Sequence, residues 1–229
     1  MSEGLPASEV PVAPASTMSG GLAALFDDVA AGRYPPADGT VTVVPQPSPR
    51  DAGVLAFTAH SVVFVDADPA WVRGLLPRGD LAAPMLPSFL LALCARTGRR
   101  VCCCADMVCL ADSRPGPPPI TLNAVSAAGH PRVAQALRYR DEVRVWEVPG
   151  GILTLGRGVA GRWEVSVEVD PGYRGQGLGR DLVAAARHLV PDGAPLWAQI
   201  APGNAASVRA FLAAGYRPVG AEVLLRAAP

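Results

Sequence analysis

Between Val165 and Arg180 the chain reads Val-Ser-Val-Glu-Val, then Asp-Pro-Gly-Tyr-Arg-Gly-Gln-Gly-Leu-Gly-Arg. This run constrains the fold more than any other stretch. Alternating β-branched residues predict a strand, and the stripe Leu178, Leu182, Ala185 and Leu189 predicts a helix starting at Gly177 and stopped by Pro191. The glycines at 175, 177 and 179 leave no β-carbons to hold a ligand off the backbone. The amides of Gly175 to Arg180 can therefore converge on an anion at the positive end of the helix, with Arg174 and Arg180 adding charge. A phosphate-bearing ligand suits this loop better than a neutral one.

The spacing separates the phosphate ligands. A nucleotide-triphosphate loop needs Gly-Lys-Ser/Thr, and Arg180-Asp181 stands there instead. A dinucleotide fingerprint needs G-x-G-x-x-G within a parallel βαβ unit. Here the glycines fall at every second position, and short turns join Val143–Val148, Ile152–Arg157 and Trp163–Val169 into an antiparallel meander. After the glycine-loop helix come a strand over Leu196–Ile200, then a helix capped by Asn204 and bearing Val208, Phe211 and Leu212. Gly215 ends that helix, and Val223–Leu225 forms a last strand.

This order of elements resembles the GNAT acetyltransferase superfamily over roughly residues 130–227. The family's loop, Gln/Arg-x-x-Gly-x-Gly/Ala, is matched without mismatch by Arg174-Gly175-Gln176-Gly177-Leu178-Gly179. The resemblance implies an α/β fold, a mixed sheet with central splayed strands flanked by helices. It implies acetyl-CoA as acyl donor, no metal, and direct transfer to a primary amine. By the same resemblance, the backbone of Val167 and Val169 pairs with the pantetheine arm and the amides from Gly175 to Arg180 bind the pyrophosphate. Asn204 contacts pantetheine or holds the splay open, and it also suits a plain helix cap.

The amine must lose a proton, so a base is wanted near the thioester. Glu164, Ser166 and Glu168 share one face of the strand. Unpaired burial of acidic groups costs several kcal/mol, so they are expected to line a wet cleft, with Glu168 as base and Glu164 binding the acceptor. The alternative is that both pair with arginines such as Arg144 or Arg157. Many relatives protonate the departing thiolate with a tyrosine seven positions after the Asn. Phe211 stands there, leaving Ser207 or a water. This departure motivates a second reading, a non-catalytic acyl-CoA-binding or regulatory module.

Residues 1–40 read as a largely disordered arm with a short helix over Leu22–Ala31. Residues 41–118 read as an additional N-terminal α/β lobe, described equally well as a decayed second copy of the fold, with Trp71, Met85 and Phe89 over the acceptor site. The Pro-rich stretch 115–119 then separates it from the acetyltransferase domain at 119–229, unless Val101–Leu110 supplies that domain's first strand. Five cysteines fall between 94 and 109 without a C-x-x-C pair, and Cys102 and Cys104 are expected to behave as small buried apolar residues. Twenty basic and twenty acidic residues balance, which argues against nucleic acid or a polybasic membrane contact. No apolar run reaches the ~20 residues of a membrane span. A cytoplasmic protein is expected, with exposed strand edges suited to pairing as a homodimer.

Overall fold

A computed structural model of the chain describes residues 21–103, 105–126 and 129–227. The first half contains α1 (Gly21–Ala30), β1 (Val41–Val44), β2 (Ala52–Phe57), β3 (His60–Phe64), α2 (Pro69–Gly74), α3 (Pro87–Thr97), β4 (Arg99–Val101) and β5 (Asp106–Ala111). The second contains β6 (Asn123–Val125), α4 (Pro131–Tyr139), β7 (Asp141–Val148), β8 (Gly151–Arg157) and β9 (Trp163–Val169). It continues with α5 (Leu178–Ala186), β10 (Leu196–Ile200), α6 (Ala205–Ala213) and β11 (Arg217–Ala227).

The strands form one mixed sheet in the order β1-β3-β2-β11-β5-β10-β9-β8-β7-β6, with β4 added beside β11. The meander β7-β8-β9 is present as the sequence predicts, and β10 runs parallel to β9. Strand β5 lies between β10 and β11, antiparallel to both. The sheet is therefore continuous across position 118, and the Pro-rich stretch carries the chain from the middle of the sheet to the edge strand β6. Burial explains the placement of β5: Val108 and Leu110 pack into one core, Cys109 and Ala111 into the core on the opposite face. A strand apolar on both faces belongs inside a sheet.

One face is covered by α2, α3, α5 and α6, packed on residues such as Leu153, Leu155, Val223 and Leu225. On the other, α4 packs through Val133 on Val145 and Ile152, and α1 packs through Leu22, Leu25, Phe26 and Val29 on Trp197, Val108 and Leu224. The early part of the chain is thus not all arm, because α1 closes a core; residues 1–20 lie outside the described residues. The apolar run Val54–Val65 forms a hairpin turning at Thr58-Ala59, with Ala59 at φ 50° and no glycine to signal it. One strand expectation changes. Val101–Leu110 is broken between β4 and β5, which leaves Cys102 exposed instead of buried; Cys104 lies outside the described residues.

Candidate functional site

Strands β9 and β10 pair only at Leu196↔Trp163 and Trp197↔Glu164. Beyond Glu164 they part, because β10 stays with β5 as far as Ile200↔Met107 while β9 stays with β8 as far as Val169↔Gly151. A cleft of about 460 Å³ opens in this gap, bounded by Val165, Val167, Ile200, Asn204, Ser207 and Phe211. The Asp170 N–H donates to Gly150 O at 2.9 Å, so even-numbered residues of β9 turn their backbone groups toward β8. Val165, Val167 and Val169 then present theirs to the open side. The structure thus brings Val167 to the cleft with a free edge. At Val169 the carbonyl is already occupied, accepting from Arg174 Nε at 3.0 Å.

The glycine loop lies beyond the end of β9, exposed through Gln176 and half-buried from Gly177 to Gly179. Gly175 and Gly177 have φ of 76° and 90°, left-handed values that side-chain-bearing residues resist. Gly177 is the N-cap of α5 and has no side chain to cap with; the first bond into the helix is Asp181 N–H to Gly177 O at 3.1 Å. The amides of Leu178, Gly179 and Arg180 precede that bond and face outward as the free donors of a helix start. Gln176 Nε2 donates to Gly172 O at 3.1 Å, tying the loop to its own first turn, and Arg180 leans on Asp181.

Across the cleft, Asn204 caps α6 by accepting from Ser207 N–H at 3.1 Å and also lines the gap, so it serves both as cap and as wall. Ser207 and Phe211 follow on the same helix face. Tyr216 donates to Val183 O at 3.0 Å inside the core and packs edge-on against Phe211, so its hydroxyl does not reach the cleft. Ser207 borders the cleft from α6, and Tyr139 and Ser166 border it from the other side.

The two carboxylates of β9 have different fates. Glu164 is 3% exposed, not wet, and it belongs to a buried network. Arg162 Nε donates to it at 2.9 Å, Arg140 Nε at 3.1 Å and Gln199 Nε2 at 3.3 Å. Arg162 also forks onto both oxygens of buried Glu222 at 2.9 and 2.8 Å, and Gln199 donates to Glu222 as well. The Arg162 guanidinium lies over the rings of Phe26 and Trp197, which touch each other, at 4.6 and 5.4 Å. Burial acts to raise the Glu164 pKa, but Arg162 and Arg140 outweigh it and hold the carboxyl below its usual range. Glu222 is pushed up by burial in spite of Arg162. Glu164 therefore forms part of the cleft floor, buried and paired with arginine and not in the wet position expected. Glu168 is half-exposed and takes one partner, Arg132 Nε at 3.1 Å. The arginines that pair with these carboxylates are 132, 140 and 162; Arg144 and Arg157 instead stack on Trp163.

The first half of the chain supplies a wall that sequence reasoning missed: Cys102, Cys103 and Asp106, with Arg226 from β11 beside them. Trp71, Met85 and Phe89 do not reach the cleft; they pack with α3 in a separate core. Nothing in the motif pattern marked Asp106, since its place depends on β5 entering the sheet next to β10. Among the described residues no cluster of three His, Cys, Asp or Glu side chains suited to a metal occurs, and no helix is long and apolar enough to cross a membrane.

A mixed sheet opened between two parallel strands, with a glycine loop feeding a helix start at the opening, defines a class of ligand-binding α/β folds. Residues 143–216 match the sequence model of the acetyltransferase (GNAT) family. No curated protein matches the sequence. Among solved structures, a GCN5-related N-acetyltransferase from Kribbella flavida is similar at 18% identity with a TM-score of 0.40, covering 60% of this chain and 63% of that one. A GNAT-family acetyltransferase from Colwellia psychrerythraea gives 13% identity and a TM-score of 0.37, covering 59% of this chain and 60% of that one. A GNAT-family acetyltransferase from Novosphingobium aromaticivorans gives 21% and 0.38, covering 58% and 69%. The chain thus spans less than two thirds of the first two of these structures.

Proposed function

We propose that the protein transfers an acetyl group from acetyl-CoA to a primary amine by direct attack. The observation that carries this reading is the free edge of β9 ending at a helix start whose amides are unpaired. A pantetheine arm is an extended amide chain, and Val167 offers it a strand edge to pair with. A pyrophosphate at its end suits the amides of Gly175 to Arg180, where a left-handed Gly177 leaves the approach open. Arg174 in its present position braces Val169 O, so the Val169 carbonyl is available to the arm only if that contact is exchanged.

In the transfer step the amine nitrogen attacks the thioester carbonyl, a C–N bond forms, the C–S bond breaks, and the CoA thiolate takes up a proton. Glu168 is the carboxylate suited to receive the amine's proton, since it is half-exposed and has a single partner, Arg132, that can yield to substrate. Ser207, whose hydroxyl borders the cleft opposite β9, is suited to protonate the thiolate. Phe211 supplies an apolar wall, and positioning in the gap provides the rest.

Calorimetric titration of the full chain with acetyl-CoA, CoA and NAD, repeated on Gly177→Glu, tests this. The expected result is micromolar binding of both CoA forms, lost in the variant, with NAD silent. Absence of CoA binding would overturn the reading. CoA binding with no transfer to any of a broad panel of amines would instead establish an acyl-CoA-binding module.

A further inference from the structure

Five charged side chains border the cleft: Asp106, Arg132, Arg140, Glu164 and Arg226. Four are matched. Arg132 pairs with Glu168, Arg140 with Glu164, and Arg226 with Asp51 at 2.6 Å. Asp106 alone has no ion-pair partner among the described residues. It is the first residue of β5, one step beyond the Met107↔Ile200 pair, which sets it level with Ala201 where β10 ends and the cleft widens. Its cross-strand partner is Glu222, so both carboxylates face the side of the sheet that carries Glu164 and Gln199. Arg162 and Gln199 are already committed to Glu222. The neighbouring Cys103 thiol is engaged with β11, accepting from Leu224 N–H at 3.3 Å and donating to Glu222 O at 3.8 Å. Among the described residues no fixed cation is left for Asp106.

We propose that Asp106 is the acceptor-recognition residue, holding the positively charged amino group of a cationic amine in the cleft. A half-buried carboxylate with no counter-charge is costly, and a ligand ammonium removes that cost by supplying the missing partner. Burial raises the pKa of Asp106, with the Cys103 thiol opposing, as expected for a carboxyl held short of solvent and of cations. The position also suits the chemistry: Asp106 comes from the β10 side of the gap, while Glu168 comes from the β9 side. One carboxylate captures the amine and the other receives its proton. This inference rests on the acyl-transfer reading above and names the class of acceptor for it.

The test is calorimetric titration of the full chain, with CoA present, using spermidine, n-butylamine and the uncharged n-butanol. The two amines bind and n-butanol does not; Asp106→Asn weakens amine binding by about tenfold or more, and Asp106→Glu recovers part of it. Acetyl-CoA affinity is the same in all three proteins. In transfer assays Asp106→Asn raises KM for the amine with little change in kcat, a split that a merely structural role does not give. Equal amine binding by Asp106→Asn, or binding of acetyl-CoA but of neither amine by the wild-type protein, overturns the proposal. Failure of acetyl-CoA itself to bind overturns the transfer reading instead, and the amine titration stands apart from it.

Discussion

The two ends of the cleft are built from different materials. At the glycine-loop end the ligand meets backbone: the half-buried edge of β9 and the half-buried amides that start α5, joined by an exposed loop, all within residues 165–180. At the opposite end it meets side chains drawn from β5, α4, β9, β10 and β11, separated by more than a hundred positions and anchored on buried charges. A backbone site is specified by local conformation and tolerates almost any substitution that keeps its φ angles. A side-chain site is specified by packing, so its failure is a failure of the fold.

The sharpest way to break this contrast is to change the charge at each end. Arg162→Ala leaves Glu164 and Glu222 facing each other without their shared cation, in a site where both are nearly inaccessible. Loss of one partner of a buried pair typically costs about 3–5 kcal/mol, and chemical denaturation should show a loss of that order. Gly177→Glu should cost less, about 1–2 kcal/mol for a side chain at φ 90°, while abolishing CoA binding. A stable Arg162→Ala protein would mean that the network is a solvated accident and that the two ends are not built differently.

A smaller effect separates Glu168 from Glu164. Both stand on β9, but Glu168→Gln should lower kcat by about a hundredfold with thermal stability preserved, because its one ion pair is half-exposed. Glu164→Gln should lower stability first. If the two variants behave alike in both assays, the assignment of base and floor fails. Smaller still, Ser207→Ala should reduce kcat by about tenfold and leave acetyl-CoA affinity unchanged, since Asn204 caps α6 through the Ser207 backbone, not its hydroxyl.

The same contrast governs what the sequence disclosed. The loop, the meander and the capped helix α6 were legible because each is encoded within a dozen contiguous residues: glycines at positions that become left-handed, alternation along the strands, and Asn204 at a helix start. The carboxylates of β9 were visible as one face of a strand, but burial divided them. Glu164 lies where α1 and Trp197 close over Arg162, and neither contact has a signature in the strand itself. Asp106 was invisible for a stronger reason. It lies level with Ala201 and pairs with Glu222, and only the insertion of β5 between β10 and β11 brings them together. Val54–Val65 concealed a hairpin because its turn, Thr58-Ala59, adopts a positive φ without glycine.

The least disruptive probe of the acceptor end is Cys102, an exposed thiol on its wall. Its pKa is held down to about 6, chiefly by the neighbouring Cys103 thiol and, against burial, by Arg226, while Asp106 opposes the shift. A thiol with a lowered pKa is a thiolate above that value, so its alkylation by iodoacetamide should rise with pH through about 6 and level off near neutrality. Asp106→Asn removes the opposing charge and should move that midpoint further down. Spermidine, bound against Asp106, should move it in the same direction while slowing alkylation by coverage. A midpoint indifferent to both changes would separate Cys102 from Asp106 and leave the acceptor end without the shared electrostatics that its side chains imply.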